Sequence, residues 1–422
     1  MSPVRGTRVP RIGRSARCDT EGEPVADVPH GLAVPRGFRD ILPTEARELH
    51  AIERLLMGTF ASYGYVPLEP PAVEFATGAL TLDERRVLRF LDRDGRLLAL
   101  RPDVTTAVAR VVAQRYGRSD AALRLSYFTP VFREEPSMRG SEREYDQAGV
   151  ELIGAKGALA DAEVIGLLGD ALARCGLRSA EIDVGHVGYV AGFLEELAPE
   201  RREASAGRIR DGDLVGALVA AREHGLPDRR AGALEAGLRH RGSDLSALRA
   251  DAPAASVQAL DELAALAPLL EAAGVGGAVR YDLGFVPALA YYSGVVFQVT
   301  VPDLGFAVAA GGRYDGLLGR FGGDRAATGF GIAVPHLHQA IVAEGWAVTD
   351  EAPLVILGPG GDDIATLRAA TALRGAGVAV AIGEVAETAG RPTVRAKVVD
   401  ERHVEFEGSR RTVDELVAAL RR

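Results

Sequence analysis

The chain has 422 residues, 47% hydrophobic and 25% charged, a length and balance that fit two or three folded domains around a real apolar core. Its net charge of −9 argues against a protein that coats nucleic acid, and no apolar run approaches the roughly 18 residues of a membrane helix. Cys18 and Cys175 lie far apart and read as unpaired thiols of a reducing, cytoplasmic compartment, with neither a disulfide framework nor a cysteine-based metal site.

Residues 1–33 carry several arginines and no acid before Asp19. They lack the apolar stretch of roughly 7–15 residues that marks a secretory signal. They read as a disordered tail or an over-extended start, with a transit peptide as the other reading. A folded core is expected over 34–342. Thr44 is the expected N-cap of a first helix, whose Leu49, Ile52, Leu56 and Phe60 share a face. Apolar runs 87–91 and 96–100 flank Asp92-Arg93-Asp94-Gly95 and read as a β-hairpin. A helix follows over 103–116, then an antiparallel pair over 123–132 and 145–153. Val164, Leu167, Leu168, Ala171 and Cys175 make residues 160–176 an amphipathic helix, closed by Gly176. Residues 181–187 alternate as a strand. From about 190 to 275 the composition turns to Ala, Leu, Glu and Arg, which marks a helical insertion. Strand patterns return at 279–283, 295–301 and 306–310. This order predicts an α+β fold, an antiparallel sheet with helices on one side. Residues 343–353 read as a linker to a small α/β module over 354–422, with strands at 354–357, 378–382 and 394–399 and a helix near 363–374. In that module Thr412-Val413-Asp414-Glu415 reads as the capping box of the last helix.

Three segments carry chemistry. In Arg101-Pro102-Asp103-Val104-Thr105, an acid and a hydroxyl stand at a helix start, where they serve either a ligand or the helix as caps. On the strand after Arg143, Tyr145, Gln147, Gly149 and Glu151 share one face by period two. An amide and a carboxylate so placed can hold an ammonium and a ring N–H, or simply form a solvated face. Third, Tyr291-Tyr292-Ser293-Gly294 is followed by Gly311-Gly312-Arg313-Tyr314-Asp315, where paired glycines allow close backbone approach to a ligand or form an ordinary turn.

In this order the segments resemble class II aminoacyl-tRNA synthetases of the histidine type, from Arg36 to Val334. The opening Arg36-Gly37-Phe38-Arg39-Asp40 and Phe132-Arg133-Glu134-Glu135 belong to the same pattern. The resemblance implies histidine contacts at Asp103, Thr105, Gln147, Glu151 and Tyr292. It implies a phosphate contact at Arg133 and a signature loop at Gly311, Gly312, Arg313 and Tyr314.

The sequence departs from the synthetase on the nucleotide side. Pro287 stands where the resemblance calls for an arginine that activates the amino-acid carboxylate. Ala290 replaces an acid, His336 replaces an adenine-stacking arginine, and Ser141 replaces an arginine of the second motif. Losing one preorganised donor costs about 10²–10³ in rate, and proline offers no donor at all. The module at 354–422 is shorter than an anticodon-binding domain and shows no basic stripe. The pattern is similar to the ATP phosphoribosyltransferase regulatory subunits, paralogues of the synthetase. That resemblance implies a non-catalytic, cytoplasmic chain without a cofactor, L-histidine as effector, and a short-form catalytic subunit as partner. It also implies a class II homodimer within a larger hetero-oligomer, and neither tRNA nor a membrane as partner.

Overall fold

The computed structural model describes residues 33–76, 86–117, 121–134, 142–210, 212–285, 287, 291–302, 304–348, 352–358, 362–386, 388 and 390–420. The expected N-terminal tail lies outside them, apart from Ala33. Residues up to Asp40 form a unit of their own, in which the Phe38 N–H donates to the Pro35 carbonyl at 3.0 Å. All that follows belongs to the second unit, from Ile41 onward.

Helix α1 (Pro43–Ser62) buries Leu49, Ile52, Leu56 and Phe60 as their spacing predicts. Its N-cap position is Leu42, not Thr44. Pro43 explains the shift, because its preset φ and missing N–H suit the first helical position. Next come β1 (Val66–Pro67), β2 (Val73–Phe75), β3 (Arg89–Leu91) and β4 (Leu97–Leu100). Strands β3 and β4 form the expected hairpin, and Asp92 closes its turn by accepting from the N–H groups of Asp94 and Arg96. Then follow α2 (Thr105–Arg115), β5 (Leu123–Phe132), β6 (Glu144–Ile153), α3 (Ala158–Arg174) and β7 (Glu181–His186). Helices α4 (Val187–Leu194), α5 (Pro199–Arg210), α6 (Leu214–Glu223), α7 (Asp228–Leu238) and α8 (Ala254–Ala272) stand between β7 and β8 (Val279–Tyr281). The core ends with β9 (Val295–Thr300), β10 (Ala309–Arg313), β11 (Ala327–Ala333) and α9 (Val334–Ala343).

Among the described residues the main sheet has the order β1-β5-β6-β11-β10-β9-β7-β8, antiparallel except at its two outer pairs. One face packs on α1, α3, α8 and α9. The expectation of helices on one side needs correction, since α2 lies on the other face. Its Val108 and Val112, with Val104 just before it, bury against Leu125, Tyr127 and Val131. The strand expected at 306–310 begins three residues later, at Ala309, and β11, in the middle of the sheet, was not foreseen at all.

The C-terminal elements are β12 (Leu354–Gly358), α10 (Asp363–Gly375), β13 (Val380–Ile382), β14 (Thr393–Val398), β15 (His403–Phe406), β16 (Ser409–Thr412) and α11 (Val413–Leu420). They form a five-stranded sheet in the order β13-β12-β14-β15-β16 around a separate apolar cluster. The capping box forms as expected: the Thr412 N–H donates to Glu415 Oε2 at 2.7 Å, and the Glu415 N–H donates to Thr412 Oγ1 at 3.2 Å. Thr412→Ala is expected to cost about 1 kcal/mol of local stability, seen as faster amide exchange across Val413–Leu420. No helix of the described residues is long and apolar enough to cross a membrane.

Candidate functional site

A cavity of about 200 Å³ opens on the α2 face of the sheet. Its floor is largely backbone, because β6 and β11 place glycines there. A methyl at Gly149 would overlap the Phe330 carbonyl and the Tyr127 hydroxyl, and one at Gly329 would overlap Glu151 and the Val150 carbonyl. One at Gly331 would overlap the amide end of Gln147. Glycine is what lets the Gln147 and Glu151 side chains lie across the neighbouring strand.

The structure brings Asp103, Thr105, Gln147, Tyr292, Arg133 and Tyr314 together on the cavity wall. Asp103 also serves the helix, accepting from Thr106 through the backbone N–H at 2.8 Å and the hydroxyl at 3.1 Å. The bonds to Thr106 support the helix-start reading, and the same residue also lines the cavity. Burial pushes the Asp103 carboxyl up from its usual range, against the Thr106 hydrogen bonds and the charge of Arg133. The Arg133 Nε–H donates to the Pro102 carbonyl at 2.6 Å, and the guanidinium lies 5.7 Å from the Tyr145 ring centre. The Gln147 Oε1 is buried and has no hydrogen-bond partner among the described residues. An orphaned acceptor on a cavity wall is a group that a ligand donor would satisfy.

Glu151 is placed differently from a wall residue. It is fully buried, one side-chain layer beneath the floor, behind Thr105, Tyr314 and Gly329. Three hydroxyls donate to it: Thr105 at 2.7 Å, Tyr127 at 3.5 Å, and Tyr314 in a short contact. Burial pushes its carboxyl up to about 8, although the Tyr314 and Thr105 hydrogen bonds favour the ionised form.

The signature loop divides between the two faces of the sheet by its period of two. Gly312 backs onto the Tyr292 ring on the cavity side, with φ 156°. Gly311 backs onto Phe297 on the helix side. Arg313 also points to the helix side and forms a buried two-pronged pair with Asp161 of α3, at 2.8 and 3.1 Å. Its Nη1 reaches Asp315 at 3.1 Å. Arg313 thus braces the turn that presents Tyr314 rather than lining the cavity.

Tyr291 lies tilted against Tyr292, with centroids 4.8 Å apart, and meets Tyr314 edge-on at 5.6 Å. On the opposite wall His336 lies nearly parallel to Phe306, with centroids 4.0 Å apart, and its Nδ1 bonds the Ala307 carbonyl at 2.9 Å. The position that resembles the adenine-stacking arginine is therefore filled by a ring already stacked on the protein. Pro287 is described and lies outside the cavity wall, while Ser141 and Ala290 fall outside the described residues. Arg133 is the only guanidinium among the described lining residues.

Sequence reasoning missed Tyr127, Asp161 and Phe306. Tyr127 could have been found, since it stands two residues from Leu125 and from Thr129 on the face of β5 that meets α2. Asp161 is an acid among the apolar positions of α3, and only the fold shows that Arg313 meets it.

A family model for histidyl-tRNA synthetase matches residues 37–337. Fold and family match together define a class II synthetase-like protein of the histidine type. The ATP phosphoribosyltransferase regulatory subunit of Moorella thermoacetica is 38% identical over 364 residues, 83% of this chain and 92% of the relative. That of Symbiobacterium thermophilum is 39% identical over 364 residues, 83% and 90%. A crystal structure of an ATP phosphoribosyltransferase regulatory subunit/histidyl-tRNA synthetase from Bacillus halodurans is 29% identical, with a TM-score of 0.77 over 88% of this chain and 99% of that one. The chain belongs to the family of ATP phosphoribosyltransferase regulatory subunits.

Proposed function

We propose that this chain is the non-catalytic regulatory subunit that binds and activates a short-form ATP phosphoribosyltransferase catalytic subunit, with L-histidine in the cavity inhibiting the complex. One observation carries the reading: the cavity keeps a polar set suited to an amino acid, while Pro287 and His336 stand where the resemblance calls for arginines. Asp103 offers a carboxylate to an ammonium and Gln147 an unused acceptor, while Arg133 offers a guanidinium to an anion. Against this, Pro287 supplies no charge, and His336 is already stacked and hydrogen-bonded. The volume, about 200 Å³, falls below the roughly 300–1,000 Å³ of sites for larger ligands.

Regulation then works by linkage. Histidine inhibits because it binds the inactive arrangement of the complex more tightly than the active one. The names of the relatives support the partner. The class II resemblance supports a homodimer of this chain, and the regulatory-subunit resemblance supports its place in a hetero-oligomer in the cytoplasm, without a cofactor and without tRNA.

The test mixes this chain with the cognate catalytic subunit and follows phosphoribosyl-ATP formation. Stimulation of the transferase, reversed by histidine, is the expected result. A folded pair that shows no stimulation overturns the proposal. Histidine-dependent ATP–pyrophosphate exchange by this chain alone would make it a synthetase instead.

A further inference from the structure

Arg101 lies just outside the cavity wall and keeps only 2% of its surface exposed. An arginine buried that deeply ordinarily meets a carboxylate. Arg101 bonds none among the described residues, and its acceptors are neutral. Its Nε–H donates to the Pro130 carbonyl at 2.8 Å, and its two Nη groups make short contacts with the Pro70 carbonyl and the Thr129 hydroxyl. The acids that act on it are Glu74 and Glu69, and Glu74 is itself bonded to Arg110 at 2.9 Å. For stability alone, an apolar side chain of similar volume would often serve as well. What the planar fork adds is direction. Its donors, at fixed angles, join the loop before β2, the end of β5 and the segment that opens α2.

The main chain repeats the connection. The Arg101 N–H donates to the Ala72 carbonyl at 2.9 Å, and the Phe132 N–H donates to the Arg101 carbonyl at 3.0 Å. Two residues on, Asp103 enters the cavity wall. From the other side Arg133, just past the end of β5, returns a bond to the Pro102 carbonyl at 2.6 Å. Segment 101–103 thus reaches β5 through one guanidinium, and the end of β5 reaches back through another. The acid and the cation of the cavity stand at the two ends of this double tie.

We infer that Arg101 is a positioning residue, whose fork fixes where the Asp103 carboxylate stands relative to Arg133 and so sets how well the cavity holds a ligand's ammonium. The inference rests on the proposed histidine site and deepens it. A carboxylate bonds an ammonium well only over a narrow range of distance and angle, so a small displacement of Asp103 forfeits most of that bond. A lysine in place of Arg101 would keep the charge but carry it on a flexible stem, with no rigid fork to span three segments.

The test compares two ligands by calorimetric titration into the full chain: histidine, and imidazole propionate, which is histidine without its ammonium. In the wild type, histidine is expected to bind roughly 10–100-fold more tightly than the analogue, the worth of one bond between charged groups. R101K is expected to fold, as judged by circular dichroism, and to bring that ratio below about threefold by weakening histidine far more than the analogue. A general loosening of the fold would weaken both ligands alike and leave the ratio where it was. An unchanged ratio in R101K, with histidine still bound, therefore overturns the inference and leaves the histidine site standing. Should R101K not fold, T129V takes its place, since it removes one acceptor of the fork, and an unchanged ratio there overturns the inference equally. A wild type that binds histidine no better than the analogue, or not at all, overturns the proposed site itself, and the inference with it.

Discussion

Asp161→Ala is expected to destabilise the core by about 3–5 kcal/mol, because it strands a buried guanidinium. Asp161 and Arg313 keep only 5% and 9% of their side-chain surface exposed. The pair is held by two parallel bonds, and Arg313 Nη1 also reaches Asp315 at 3.1 Å. Asp315 in turn accepts from the Ala327 N–H at 2.9 Å, which ties the turn to the start of β11. The Ser293 N–H donates to the Arg313 carbonyl at 2.8 Å, which ties it to the segment bearing Tyr292. Removing Asp161 should therefore loosen Tyr314 as well, and with it the clamp on Glu151. Denaturant unfolding followed by the fluorescence of Trp346, the only tryptophan, which packs on the core, reads the loss. A cost below about 1 kcal/mol would mean that the pair is not the brace described.

Gly329→Ala is expected to abolish the proposed histidine feedback and to cost about 2–3 kcal/mol. Its methyl would overlap Glu151 Oε2 and the Val150 carbonyl, and neither can move away. Glu151 is clamped by three hydroxyls, and Val150 lies in the ladder between β6 and β11. Gly331→Ala is the informative contrast. Its methyl meets the end of the Gln147 side chain, which can swing aside. That variant should keep its stability within about 1 kcal/mol and weaken histidine binding. Equal effects of the two substitutions on stability would contradict the distinction between the fixed acid and the movable amide.

Much of this was legible where local rules and tertiary demands agree. The Asp-Gly hairpin, the β5–β6 pair and the apolar stripe of α3 follow from period and turn chemistry. What the site requires is what hid β11. Ala327-Thr328-Gly329-Phe330-Gly331-Ile332-Ala333 has two glycines in a central strand, against strand propensity. Those glycines are there because Glu151 and Gln147 need the space. The hairpin of β15 and β16 escaped for a different reason. It turns through Glu407 and Gly408 at φ 51° and 71°, and glutamate is not a residue that marks a left-handed turn. The face of β6 was readable, and it gave Gln147 and Glu151 the same side. Their different depths were not, because Tyr314 closes over Glu151 from 163 residues away in sequence.

We propose a pocket that keeps its amino acid and no longer takes a nucleotide. Equilibrium titration of the full chain with histidine and, separately, with ATP tests it most directly. Saturable histidine binding that Gln147→Ala weakens, with no ATP binding at millimolar concentration, is expected. ATP binding that strengthens in the presence of histidine would contradict it, and would return the chain to the aminoacylating branch of its fold.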